Sequence, residues 1–229
     1  MLKPHAETFR SYQGFICTIV TILGSHEPSD TQDRVCRNLL ADIHDTLREC
    51  SRIIFTGNCP ISYPLLRRAF ETTSLMALCY LDPKYAEKWW NGAEISNGEV
   101  RKELEKHPMG EPSERLRATY KFLSARTHPN RTAIPDRFLG EPNQFTLGSI
   151  AVPSLALVVD YLLRCMSIWF WFTALTTFAY RHLIFKHDPQ LREVYRAIST
   201  HADKIQTQLA GQLDRLYAEE KDQFVYKEG

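Results

Sequence analysis

The sequence predicts an all-α fold, a bundle of about seven helices around one long hydrophobic helix at 153–187, and three observations carry that prediction. Apolar residues recur at close to every 3.6 positions, the period of one helix face. No segment shows the apolar–polar alternation of a half-buried strand. The third observation lies between Arg164 and Arg181. There, sixteen residues carry no formal charge, include Trp169, Phe170, Trp171, Phe172 and Phe178, and contain neither glycine nor proline. A helix apolar on nearly every face must be covered by the rest of the protein.

Taken in order, the elements are expected as follows. A first helix covers 9–24 and ends at Gly24. Ser29 and Asp30 are N-cap candidates for a second helix over 31–56, whose inner face reads Val35, Leu39, Leu40, Ile43, Leu47, Ile53 and Ile54. A third helix starts near Ser62, with Pro64 in its first turn, and runs to Tyr80. Asp82-Pro83 opens a short helix carrying Tyr85, Trp89 and Trp90. A short charged helix at 98–107 reads as solvated, and a helix at 114–127 presents Leu116, Tyr120 and Leu123. Residues 128–152 form a long loop with proline and glycine turns, long enough to be functional. Asp188 and Pro189 then separate the central helix from a last one, whose inner face runs from Leu191 to Leu216. There is no internal repeat, and one domain over 1–229 is expected.

Composition narrows the function classes. Twenty-eight basic and 27 acidic side chains leave a net charge of +1. Nucleic-acid binding through bulk charge is therefore disfavoured, although a local basic patch stays open. Six cysteines, with no C-x-x-C pair, read as free thiols in a reducing, cytoplasmic setting rather than as a zinc or disulfide framework. The apolar run Phe15–Leu23 reads as an amphipathic first helix rather than a signal peptide, because Glu7 sits in the would-be basic region. The central helix reads as buried rather than membrane-spanning, since Arg164 and Arg181 close its uncharged run short of about 20 residues. Its excess apolar surface predicts a homodimer built on that helix. Nucleotide-loop, dinucleotide, zinc-protease and nucleophile-elbow motifs are all absent, so no cofactor or metal is expected.

One polar constellation stands out. Arg67 and Glu71 are four apart and share a helix face, with Arg68 beside them. Ser124 and His128 are also four apart, and Asn130 and Arg131 follow. One reading is a catalytic pocket of Arg67, Glu71, Ser124, His128 and Arg131, with His128 as general acid or base and the arginines holding an anion. The other is an internal ion pair plus a histidine favoured by a helix C-terminus. Asp42, His44 and Asp45 crowd one turn, but their helical angles scatter them and read as a solvated face. Trp89-Trp90 reads as the edge of a core, one ring inside and one at the rim.

The run from Pro64 to Trp90, followed by YKFLSARTH, resembles a group of uncharacterised bacterial all-helical proteins. That group pairs a Leu-Leu-Arg…Glu helix with a later Tyr-x-x-Leu-Ser-x-x-x-His helix. The matching positions are Leu65, Leu66, Arg67 and Glu71, then Tyr120, Leu123, Ser124 and His128. The resemblance covers about the middle third of the chain. It implies a helical bundle with a defence- or toxin-related role and no established reaction. The chain is also similar to HEPN-type helical ribonucleases in carrying Arg followed by four to six residues and then His, at Arg37/His44, Arg101/His107, Arg181/His187 and Arg196/His201.

Overall fold

A computed structural model describes residues 3–56, 59–107, 113–127 and 155–223. They form eight helices and no strand among the described residues. In chain order these are α1 (Lys3–Gly24), α2 (Thr31–Phe55), α3 (Cys59–Leu81), α4 (Pro83–Trp90), α5 (Asn97–Leu104), α6 (Ser113–Thr127), α7 (Leu155–His187) and α8 (Leu191–Gln223). The expected all-α class holds, with eight helices in place of about seven. The 128–152 loop lies outside the described residues.

Side-chain chemistry sets the boundaries. Asp30 in extended conformation accepts from the Asp33 N–H and starts α2; Asp82 does the same for α4 through Lys84, and Ser96 for α5 through Glu99. Gly92, at φ 77°, ends α4 in the left-handed region that an L side chain avoids. Two expectations change. Pro64 lies inside α3 rather than in its first turn. The helix begins at Cys59, so Pro60 takes the N-terminal position that suits proline, and Pro64 forgoes one internal hydrogen bond. The 98–107 segment is not a solvated helix either. Val100 and Leu104 of α5 are buried, because residues four apart turn one apolar edge inward beneath a charged exterior.

α2 and α3 pack antiparallel. Gln32, at the start of α2, donates to the Cys79 and Tyr80 carbonyls at the end of α3, both at 2.8 Å. α7 is the axis of the bundle. It runs with α3 through Tyr63–Asp160, Phe70–Trp171 and Tyr80–Phe178. It runs against α2 through Ser51–Trp169 and Asp33–Tyr180. α1 covers it with Tyr12, whose ring stacks on Trp169, and α8 lies alongside, with Ser167 donating to Gln206. Val158–His187 is long and apolar enough, by length and composition alone, to cross a membrane, and just over half of its most apolar stretch is buried inside the fold.

The α1–α2 corner is held by charge. Arg37 grips Asp33 with Nε and Nη2 at 2.9 and 2.8 Å, and its Nη1 donates to the Leu23 and His26 carbonyls at the end of α1. A guanidinium there meets orphan carbonyls and the negative end of the helix dipole. Burial raises the Asp33 carboxyl, but the Arg37 fork, the Ser29 N–H and the Tyr180 hydroxyl together outweigh it and hold the group below the ordinary carboxylate range. A carboxyl whose pKa falls on folding stabilises the fold above its unfolded value, and that stability is lost as pH drops through the folded one. Asp33→Asn should therefore cost about 1–2 kcal/mol at neutral pH in urea unfolding. The gap from wild type should close below about pH 4.

Candidate functional site

The α3 face at Tyr63, Arg67 and Glu71, spaced four apart, looks towards α6 and α7. Arg67 is the hub. Its Nε donates to Glu71 Oε1 at 2.8 Å, Nη2 to the Tyr120 hydroxyl at 3.0 Å and Nη1 to Thr127 Oγ1 at 3.4 Å. The Glu71 hydrogen bond outweighs partial burial and raises Arg67 above the ordinary arginine value, so its charge is fixed. Five guanidinium N–H groups against three bonds leave two unspent among the described residues. A second cation stands across the same ring: Arg67 lies 5.0 Å and Arg101 of α5 4.5 Å from the Tyr120 ring centroid.

Of the five candidate residues, Arg67 and Glu71 are joined directly. Ser124 sits on α6 one turn before Thr127, whose hydroxyl donates to its carbonyl at 3.0 Å. Its own Oγ is buried and makes no hydrogen bond among the described residues. His128 and Arg131, with Asn130, lie outside the described residues. Sequence reasoning gave no role to the Tyr120 hydroxyl or Thr127, and met Arg101 only in its spacing to His107. Three unrelated segments meet at Arg67, and only the Arg67–Glu71 spacing was local enough to read.

A second polar group continues the seam. Asp160 of α7 is buried and accepts from the Tyr63 hydroxyl at 3.0 Å and from Arg164 Nε at 3.2 Å. Arg164 in turn lies 4.1 Å from the Phe122 ring centroid of α6. Asp160 is thus an internal anchor for α3, α6 and α7. A buried carboxylate is tolerated because both partners reach it. The i, i+4 spacing of Asp160 and Arg164 was a usable signal.

A cleft of about 390 Å³ lies elsewhere, lined by His26, Asp33, Arg37, Tyr80, Tyr180 and His182 among others. Its arginine is already spent on Asp33 and two carbonyls, which leaves the fork no free edge for an anion. Among the described residues, no group of three or more His, Cys, Asp or Glu could hold a metal ion. Trp89 packs against the core while Trp90 is exposed beneath Arg34, the one-in, one-out arrangement expected of the pair. Asp42 is paired with Arg68 at 2.6 Å, but His44 is no part of a solvated face, for its ring is largely covered against Trp169.

No family model, curated protein or solved structure matches the chain. Chemically, the Arg67 cluster presents a fixed positive charge beside a phenol, with two donors unspent among the described residues.

Proposed function

We propose that the chain works by self-association, as a cytoplasmic homodimer built on α7. The carrying observation is a stripe on α7 at Leu163, Ser167, Phe170, Ala174, Phe178, Arg181 and Phe185, spaced by threes and fours, none of whose members is fully buried. That spacing is the seam of paired helices, and here most of it is apolar. Phe178 remains 38% exposed even with Tyr80 and Arg181 against its ring. Flanked by Phe70 and Tyr80 of α3 and by Gln206 of α8, the stripe is a partly open seam against which the same helix of a second copy packs by two-fold symmetry. The four buried cysteines, all free thiols, are consistent with a reducing setting. Sedimentation at micromolar concentration should give a dimer, and Phe170→Glu with Phe178→Glu should give a folded monomer. A wild-type protein that sediments cleanly as a monomer would sink the reading.

A second reading is favoured by the two guanidiniums on one tyrosine ring. Arg67 and Arg101 carry two positive charges against the single carboxylate of Glu71 in their shared contacts. That surplus suits a phosphate. In this reading the protein is a metal-independent phosphodiester hydrolase of nuclease type, with Arg67 and Arg131 holding the phosphate and His128 moving the proton. RNA cleavage by the purified protein, lost in His128→Ala, is the expected result. Cleavage unchanged by that substitution would dispose of it.

A further inference from the structure

Cys17, His44 and Asp45 form a chain of contacts outside both sites above. Cys17 is exposed on α1, and its Sγ lies 3.7 Å from His44 Nε2 of α2. His44 Nδ1 in turn lies 3.3 Å from Asp45 Oδ1. The imidazole is held in place, since its side chain is only 14% exposed and its ring meets the edge of Trp169 at 6.0 Å and 83°. A carboxylate at Nδ1 favours the tautomer with its proton there, leaving Nε2 free to accept from the thiol. Nucleophile, base and orienting carboxylate therefore stand in the order an activated thiol requires. We propose that Cys17 is an activated thiol and a modification site, taking hydroperoxides as its electrophile.

The chemistry balances without another group. The Cys17 proton passes to His44 Nε2, and the thiolate attacks one peroxide oxygen. The O–O bond breaks, sulfur is oxidised to a sulfenic acid, and the departing oxygen takes the proton back from the imidazolium to leave as water or an alcohol. The surroundings favour the pair. No charged residue lies between Gln13 and Thr21 on α1, the charges within one turn of His44 on α2 are Asp42, which is paired with Arg68, Asp45 and Arg48, and α7 contributes the neutral Trp169. α8 contributes Tyr195, whose ring stacks on Phe15 of α1. The other described thiols are unsuited to the role: burial pushes Cys36, Cys79 and Cys165 up to about 12 and raises Cys50 as well.

The test is iodoacetamide alkylation of the native full-length protein as a function of pH, followed by peptide mass spectrometry. Each cysteine-bearing peptide is read separately, Cys59 among them. Cys17 should react at least about tenfold faster at pH 7 than Cys36, Cys50, Cys79 and Cys165, and faster than it does in the urea-unfolded protein. His44→Gln should slow the Cys17 reaction about threefold at pH 7, because it removes the base that takes the thiol proton. Asp45→Asn, a surface change, should slow it by less. Hydrogen peroxide with dimedone should place the sulfenic adduct on Cys17. A native Cys17 that reacts no faster than Cys17 of the unfolded protein overturns the proposal, and it does so even if His44→Gln fails to fold. Identical profiles for wild type and a folded His44→Gln also overturn it.

Discussion

Trp169→Ala should lower unfolding stability by about 4 kcal/mol, read from urea denaturation followed by helical circular dichroism. The side chain is fully buried at the point where α1, α2 and α7 meet. Tyr12 stacks on its ring at 6.0 Å and 5°, Phe172 lies at 6.0 Å, and the His44 ring stands edge-on. Truncation removes the largest fully buried side chain among the described residues and leaves a cavity that three helices cannot close without moving. It also strands a polar partner, because the indole Nε1–H donates to Ser51 Oγ at 3.1 Å in the interior. Two comparisons separate these effects. Trp169→Phe retains much of the volume and should cost about half as much, while Ser51→Ala removes only the hydrogen bond and should cost about 1 kcal/mol. A loss below about 2 kcal/mol for Trp169→Ala would mean that the helices collapse into the space, and that α7 is no rigid axis.

That axis was the part of the fold most legible in the sequence, for a physical reason. An uncharged run of sixteen residues with no glycine, proline or apolar–polar alternation satisfies its backbone locally as a helix and its side chains by being covered, so both element and role follow locally. Caps were equally readable, since Asp30 and Asp82 act on N–H groups two or three residues away. What failed involved competition between neighbours. Pro64 suggested a first turn until Pro60, four residues earlier, took that place. α5 was read from its charges, and burial of Val100 and Leu104 depends on a surface that α3 and α6 supply from elsewhere in the chain. His44 shows the limit most clearly. Its neighbours Asp42 and Asp45 suggested solvent, but Cys17, 27 residues away, and Trp169, still further off, decide its surroundings. Asp160 can be buried because Arg164, one turn on, and the Tyr63 hydroxyl, 97 residues away, both reach it, and only the first of these is local. Half of the candidate site was visible because Arg67 and Glu71 are helical neighbours. The Tyr120 hydroxyl, Thr127 and Arg101 join it only through tertiary packing.

Arg67 is where the structural and chemical readings of that site diverge, and substitution there should show a large effect. Arg67→Ala removes three hydrogen bonds at once and leaves Glu71, three-quarters buried, without its cation. Charge-assisted bonds of this kind, minus what water recovers at a partly exposed site, predict a loss of about 2–3 kcal/mol. α6 should loosen first, because its polar attachment to α3 runs through Tyr120 and Thr127, which leaves Leu116, Leu123 and the Phe122 ring on Tyr63 to hold it. Hydrogen exchange confined to α6 amides would report that loosening before global unfolding. Arg67→Lys keeps the charge but not the fork. It can serve Glu71 or Tyr120 but not all three partners, so it should recover about half of the lost stability. Tyr120→Phe keeps the ring against both guanidiniums and should cost about 1 kcal/mol. These values make the functional comparison clean. If the cluster is a strut between α3 and α6, activity and association should follow stability across the three variants. If it holds a phosphate, Arg67→Lys should stay folded and yet bind inorganic phosphate far more weakly than wild type, since a single ammonium cannot replace two guanidinium donors on adjacent oxygens.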